Sequence, residues 1–501
     1  MTTLSSTTGT ISSAGIGSGL DVNSIVTQLM TVERQPLTRL QATQATMKTE
    51  LSAFGQLQSL VSALQDAAKP LFSADSYLLS NATSSDPTGV SAGTTTKAVP
   101  GIYSVAVSSL SATQSIVSAS GAFADASAVV GTGSLTIRLG SWNADRTVFT
   151  PKTGSSDITV PIGASENTLA GIRDKINAAN AGVSATVVTD ASGSRLALQS
   201  TAPGVGNGFR VTVSDGDGTN ADAAGLSRLA FDPAGGAAQM TLAQAAANAQ
   251  ATVNGIAVTS SSNTLDGVID GITFNLGKVT TQPVTVNVTR NTDAIKTMVG
   301  AFVGAYNQLN DFLGQATHYD AATKQAALLQ GDSTATGIQN QLHTLVGTKS
   351  GASSTFATLS SLGVQLQKDG SLKLDDTKFA DALTRLPELT KALGNVDASV
   401  AGNSGIGKRF SDWTGGLLAS NGSLPGKTKS IEARIARNQK DQDALSDRLD
   451  AIEARMRAQY NALDTTMAKA NALAKYVTQQ FYFNNSFSQS LNSNTGNGGG
   501  G

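Results

Sequence analysis

Two apolar stripes, one near each end of this 501-residue chain, limit its possible folds more than any other feature. From Lys427 to Gln480 there is neither glycine nor proline. Within that stretch Ile431, Ile435, Asn438, Gln442, Leu445, Leu449, Ile452, Met456, Gln459 and Leu463 follow in steps of four and three. Seven of these ten are apolar, which is the a/d spacing of a coiled-coil seam. As one helix the stretch would run roughly 80 Å. Near the other end Leu37, Leu40, Gln44, Met47, Leu51, Phe54, Gln58 and Val61 repeat the spacing. A stripe of this kind needs a cover, so the two together predict an antiparallel stalk with the remaining chain inserted at its far end. The alternative, two amphipathic helices each facing an ordinary core, leaves their matching unexplained. Asn438, Gln442 and Gln459 within the seam would fix register at a cost in stability.

A chain of this length should hold three or four domains rather than one core. Its net charge of −1 and charged fraction of 14% offer no basic field to nucleic acid. The charge is uneven. Fourteen charged residues lie between Lys427 and Arg457, against twenty-five in the whole of 71–290. The first pattern is a solvated helical face; the second is a neutral, Ser/Thr/Gly-rich region of the kind that makes turn-dense β domains. There is no cysteine, and only His318 and His343, so thiolate chemistry is excluded and neither a metal nor another cofactor is expected. Residues 1–19 have neither a basic start nor an apolar core, so no secretory signal peptide is expected. No run approaches the ~18 apolar residues of a membrane span, and no membrane insertion is expected.

Along the chain, residues 1–19 read as disordered. Ser18 or Asp21 should cap a helix over Val22–Arg34, and Pro36 should kink or restart it before a long helix ending at Pro70. From Asn81 the period changes to two. Strands are predicted around Tyr103–Val107 and Leu135–Leu139, and over 183–189, 194–200, 209–214, 251–259, 268–276 and 283–290, with one helix over Thr168–Asn180. Helical period returns at Asp293, where Ile295, Val299, Phe302, Tyr306, Leu309 and Leu313 form a stripe. A second helix is predicted over Ser333–Val346, and a hairpin around Asp369-Gly370. Asn484–Gly501, rich in Asn, Ser and Gly, should be mobile.

Three apparent motifs fail on spacing. Gly422-Ser-Leu-Pro-Gly-Lys-Thr428 puts three residues between its glycines, where a phosphate-cradling loop needs four, and no buried strand precedes it. Thr428 or Ser430 is the better helix cap, and Lys427→Ala should leave function intact, because no phosphate is held there. Asp215-Gly-Asp-Gly-Thr-Asn220 lacks the glycine expected at the sixth position of a calcium loop, and Leu226 stands where the bidentate Glu belongs. Neither a G-x-S-x-G elbow nor a nucleophile near either histidine points to a triad. No catalytic residues are assigned.

A resemblance is carried by several segments in order. Gly19-Leu-Asp-Val-Asn-Ser-Ile-Val-Thr-Gln-Leu-Met30, followed by Glu33 and Pro36-Leu37, opens the set. Next come Gly101-Ile-Tyr-Ser-Val-Ala-Val-Ser-Ser-Leu110, then Glu166–Ser200 with Lys175-Ile-Asn177, then Val253-Asn-Gly-Ile256 and Asp266–Leu276. Leu359–Leu374 and Arg455–Gln480, ending Tyr476-Val-Thr-Gln-Gln480, complete it. The set resembles the family of bacterial flagellar filament cap proteins (FliD, or hook-associated protein 2) over nearly the whole chain. Glu166–Ser200 is similar to a short repeat of flagellins and hook-associated proteins. Two features depart from the pattern: Ala462-Leu-Asp-Thr-Thr-Met467, where a more aromatic seam is usual, and a long tail after Gln480.

The resemblance implies a multidomain α+β fold. Its terminal helices would pair in an antiparallel coiled-coil stalk, with a helical body and inserted antiparallel β domains. Terminal leg helices with disordered ends fall at 1–40 and 465–501, and the helical body with its coiled coil at 41–77 and 291–464. A first β domain covers 78–115 and 245–290, and a second, variable one 116–244. Seam residues are Leu40, Met47, Leu51, Phe54, Ile431, Ile435, Leu445, Leu449, Ile452, Met456 and Leu463; leg and filament contacts are Leu20, Val22, Ile25, Leu29, Tyr476 and Val477. The implied partners are other copies in a ring, a pentamer being the expected count, together with flagellin, a cytoplasmic export chaperone and the hook–filament junction protein. The implied place is extracellular, at the distal tip of the flagellum, reached by type III export. The other reading is a surface adhesin whose β domains bind host glycans or proteins.

Overall fold

The computed structural model describes residues 21–493, with side chains to Ser486. The expected disorder of 1–19, the contact assigned to Leu20 and the last residues of the tail lie outside them. The chain divides into two compact units, one of residues 1–72 with 300–501 and one of residues 73–299. The helices are α1 (Val22–Glu33), α2 (Gln35–Ala68), α3 (Leu169–Ala178), α4 (Thr292–Thr317) and α5 (Ser333–Gly347), then α6 (Asp376–Leu383), α7 (Leu386–Gly394), α8 (Ile406–Leu418) and α9 (Ser423–Ser493).

In the helical unit, Asp21 caps α1 through Ser24 N–H (3.0 Å). The chain breaks only at Arg34, and α2 restarts with Pro36 in its first turn, where a missing N–H leaves no intrahelical bond unmade. The far half of α2 buries Phe54, Leu57, Val61, Leu64 and Ala68. Across α8, Phe410 stacks edge-on with Phe302 and Tyr306 of α4, at centroid distances of 5.0 and 6.3 Å. A Cβ on Gly407 would stand 2.5 Å from Leu71 Cβ, so only glycine lets α8 lie this close to the end of α2. The hairpin at Asp369-Gly370 is present as Val364–Leu366 paired with Leu372–Leu374. Asn307 of α4 holds it, exchanging hydrogen bonds with Leu372 N–H (2.7 Å) and C=O (2.9 Å).

The other unit holds the strands. They are β1 (Ser80–Ser84), β2 (Val90–Thr94), β3 (Gly101–Ser109), β4 (Ser115–Val117), β5 (Gly133–Trp142), β6 (Phe149–Pro151), β7 (Ile158–Ile162), β8 (Val183–Asp190) and β9 (Gly193–Ser200). After these come β10 (Gly208–Asp215), β11 (Phe231–Asp232), β12 (Ala237–Ala238), β13 (Thr241–Gln244), β14 (Ala249–Val253), β15 (Ile256–Ser260), β16 (Thr264–Ile269), β17 (Ile272–Leu276) and β18 (Val284–Arg290). An antiparallel sheet in the order β1-β18-β3-β14-β15 faces β16-β17-β2, with Val105, Val107, Ile272, Phe274, Val286 and Val288 between them. A second core lies among β12-β11-β10-β5-β6, with β7 also on β5, the sheet β13-β4-β9-β8, and α3. Trp142 packs there against Phe149 (4.8 Å) and Phe231 (5.8 Å). Two passages join the cores and bond to each other at Ala112 and Ala247. Beside them buried Gln114 clamps Phe209, accepting from its N–H (3.0 Å) and donating to its C=O (2.7 Å).

Four sequence expectations need correction. The strand expected over 251–259 is a hairpin turning at Asn254-Gly255, both at positive φ (50° and 81°), because an Asn-Gly turn keeps the alternation of two running through it. The strand expected over 268–276 turns likewise at Asp270-Gly271, with Gly271 at φ 77°. Helix α9 starts at Ser423, ahead of both proposed caps, and Thr428 Oγ1 donates back to Leu424 and Pro425 C=O within it. The helix also continues through Asn484 to Ser493, where a mobile tail was expected.

Candidate assembly interface

The two stripes meet. Along the described stalk Lys427 lies over the Phe54 ring at 5.4 Å, Arg434 approaches Glu50 at 3.8 Å, and Gln439 Oε1 accepts from Gln44 (2.7 Å). Farther along, Arg34 pairs with Glu453 at 2.9 Å and Arg457 donates to Asn23 (2.8 Å). As one helix ascends in number the other descends, so α1 and α2 together run antiparallel along α9. Of the predicted seam, Met47, Phe54, Ile431 and Leu449 are buried, and Leu40, Leu51, Ile435, Leu445, Ile452 and Met456 are half-buried. Leu463 is 46% exposed. Gln459 is exposed too, and half-buried Tyr460 replaces it at the end of the packed stripe.

The seam is layered. Val22, Val26, Met30 and Leu449 form a small core of their own, flanked by Leu37, Leu445, Ile452, Met456 and Tyr460. Next comes a polar layer in which buried Gln442 donates to Asn438 Oδ1 at 2.6 Å. Beyond Met47 the apolar stripe resumes at Phe54. The polar layer therefore separates the outer cluster from the body core; its amide pair lies within α9, so a slip in register would keep that bond but set the pair against apolar layers of the partner helix.

The residues assigned to leg contacts are placed differently from one another. Val22 is buried in the outer cluster with Leu449 of α9, and Ile25 is half-buried. Leu29 is exposed, as are Tyr476 and Val477. Pairing with α1 stops near Tyr460. Beyond it α9 exposes Leu463, Met467, Leu473, Tyr476, Val477, Phe481, Tyr482 and Phe483. Of the last five only Tyr476 and Val477 fall within the segments that carry the resemblance, which end at Gln480; Phe481–Phe483 lie just past them.

Lys427 has a role that its motif context hid. Its ammonium reaches Asp332 Oδ2 at 2.5 Å, and both side chains are mostly buried. Asp332 caps α5, accepting from Thr334 N–H (2.9 Å) and Ala335 N–H (3.1 Å). Burial opposes its ionisation, but Lys427 and these amides hold the carboxyl below its ordinary value. Lys427 thus ties α9 to α5 and, through Phe54, to α2, so Lys427→Ala is expected to cost stability. A second carboxylate holds a loop: Glu388 accepts from Lys391 (2.8 Å), Ser353 Oγ (2.6 Å) and Ser354 N–H (3.2 Å). Its carboxyl is pulled down to about 2, mainly by Lys391 and then by Ser353.

The calcium-like stretch brings Asp215, Asp217 and Asp222 within 4.8 Å of one another. Asp215 Oδ2 accepts from Ser227 N–H (2.8 Å), and Asp215 N–H donates to Asn220 (2.8 Å), as in a loop tied down by its own side chains. His343 on α5 bonds Asn310 of α4 at 2.8 Å and serves packing. Among the described residues no helix is long and apolar enough to cross a membrane.

These features define a multidomain α+β protein in which α1 and α2 run antiparallel along α9 as a helical stalk, with antiparallel β domains in the sequence between them. Family models for the N-terminus and C-terminus of flagellar hook-associated protein 2 match residues 18–115 and 246–472, and a flagellin hook IN motif matches 148–202. The chain is 34% identical to flagellar hook-associated protein 2 of Escherichia coli K12, over 94% of this chain and 98% of that one. It is 33% identical to the B-type protein of Pseudomonas aeruginosa PAO1, over 93% and 96%. A crystal structure of the Escherichia coli flagellar cap protein FliD, domains D1-D2-D3, superposes with a TM-score of 0.60 at 30% identity, over 76% of this chain and 99% of that one. The chain belongs to the flagellar hook-associated protein 2 (FliD) family.

Proposed function

We propose that this protein caps the growing flagellar filament at its distal tip, outside the cell, and promotes folding and insertion of exported flagellin. The observation that carries the reading is the outer end of α9. There a helix displays Leu473, Tyr476, Val477, Phe481, Tyr482 and Phe483 beyond the reach of α1. Exposed apolar and aromatic side chains along a helix call for a partner, and a subunit that stands with its legs in a filament end has one. The remaining partners follow from that role: other copies in a ring, for which five is the working number, an export chaperone in the cytoplasm and the hook–filament junction protein. Filament contact is assigned to Leu29, Tyr476 and Val477, whereas Val22 and Ile25 serve the stalk. The role requires positioning and no bond-making, so no catalytic step is assigned.

The test is a cap-deleted strain carrying this chain on a plasmid. Restored filaments and motility, with little flagellin lost to the medium, are the expected result. Unrestored motility with flagellin shed as monomers would overturn the reading, and host-cell binding lost from a strain that still swims would replace it with the adhesin.

A further inference from the structure

Sheet edges in the β unit are closed in several ways, with one exception. β6 and β7 contain Pro151 and Pro161, β12 has two residues, and β13 and β16 break register against their partners. β1 is met by β2, whose Thr94 donates to Ser80 C=O at 2.5 Å. β8 is closed more specifically: Asn177 of α3 presents its amide to the middle of the strand, donating to Ala185 C=O (2.9 Å) and accepting from Ala185 N–H (2.7 Å). Proline, bulges, shortness and covers are how proteins prevent unwanted strand addition.

β15 has none of these. It pairs with β14 in unbroken register over all five residues, from Ala249↔Ser260 to Val253↔Ile256. The two-residue turn at Asn254-Gly255 makes Val253↔Ile256 a hydrogen-bonded pair. Ile256, Val258 and Ser260 therefore bond to β14, while the N–H and C=O of Ala257 and Thr259 point outward. Both residues are exposed, and Ile256, on the core side of the strand, is 70% exposed at the uncovered end of the sandwich. The neighbouring outer face carries Gln250, Thr252, Ala257 and Thr259, without a charge.

We propose that the open edge of β15 is a receiving edge: it pairs transiently with an extended segment of the exported filament subunit before that subunit folds. The proposal rests on the cap reading. Three observations choose this occupant. Two outward N–H/C=O pairs allow four hydrogen bonds along a strand of roughly 17 Å, far less contact than the ~800 Å² each partner gives to a stable interface. Recognition through backbone groups is indifferent to sequence, which suits a partner presented unfolded. The β unit of a second folded copy, with its other edges closed, would offer β15 alone, and β15 on β15 makes a two-fold pair that cannot extend to a ring.

The test places a photoreactive phenylalanine analogue at Ala257, and for comparison at Thr285, which lies on the same sheet face three strands in from that edge. Both are made in the complemented, flagellin-secreting strain. A cross-link to flagellin from position 257, absent from 285 and lost when export is stopped, is expected. Thr259→Pro removes one outward N–H and leaves the β14 ladder intact. It should keep the melting temperature and the particle size of the purified cap while reducing the cross-link and the filament length several-fold; Ala257→Lys should do the same if the proline disturbs folding. A cross-link to another copy of this chain, or none, overturns the proposal while wild-type capping stands. A wild-type chain that builds no filament overturns the cap reading itself.

Discussion

At the residue scale, Lys427 owes its role to partners distant in sequence rather than to the residues beside it. Its partners, Asp332 and Phe54, lie about a hundred and several hundred residues away, and no local spacing announces them. Lys427→Ala removes an ion pair with a helix cap and should cost about 1.5–3 kcal/mol, the range for a hydrogen bond to a charged group. Urea unfolding checks this, and Lys427→Arg should recover part of the loss. Glu388 gives a pH signature. Its folded value of about 2 lies below an ordinary 4.5, so its stabilisation is complete above 4.5 and is lost as pH falls towards 2. Glu388→Gln should therefore melt below wild type at pH 7, and the gap between the two should close between pH 4.5 and 2 in paired melting curves.

The elements were more legible than their ends. Heptad spacing disclosed α2 and α9 because a buried stripe repeats with the helix itself, and Thr168, Asp21 and Pro36 marked true starts. Alternation failed where a turn of two residues preserved it, at Asn254-Gly255 and Asp270-Gly271. It also passed over β1 and β2, whose Ser, Thr, Asn and Gly residues carry little apolar signal. Leg contacts were the least legible: a stripe shows that a helix is covered but not by what, and Val22 is covered by the chain itself. Leu449→Ala opens a hole beneath Met30 and Val26 and should cost about 2–5 kcal/mol. Arg448→Glu, exposed beside it, should cost at most about 1 kcal/mol. Hydrogen exchange of α1 should rise steeply in the first variant and little in the second, while the amides of β5 and β10 stay protected in both. Equal behaviour would mean that the outer cluster does not hold the stalk.

On the scale of the molecule, the limit of the stalk near Tyr460 sets where the isolated chain gives way. A helix with nearly all its side chains in water has little beyond its own hydrogen bonds to hold it, and 461–486 is such a helix. Trypsin should cut first at Lys469 and Lys475. Arg34, held by Glu453 and by the buried faces of Val26 and Met30, should be cut later; simultaneous trimming of both ends would contradict this. Mass spectrometry of early fragments decides between them. Domain boundaries at 40 and 465 remain a proposal, with the first of them placed inside the unbroken α2.

The hydrogen bond between Asn23 and Arg457 joins residues 434 positions apart, which carries a consequence for the order of manufacture. When α1 and α2 leave the ribosome, their apolar stripe has no mate, and the mate is not made until nearly all the chain has followed. Residues 73–299, contiguous in sequence, can close around their own cores long before that. A chain arrested before residue 423 would thus hold formed β domains and an open leader, and only the last turns of synthesis would shut the stalk. Late closure of this kind leaves the apolar stripe of α1 and of the first half of α2 accessible for nearly the whole of synthesis.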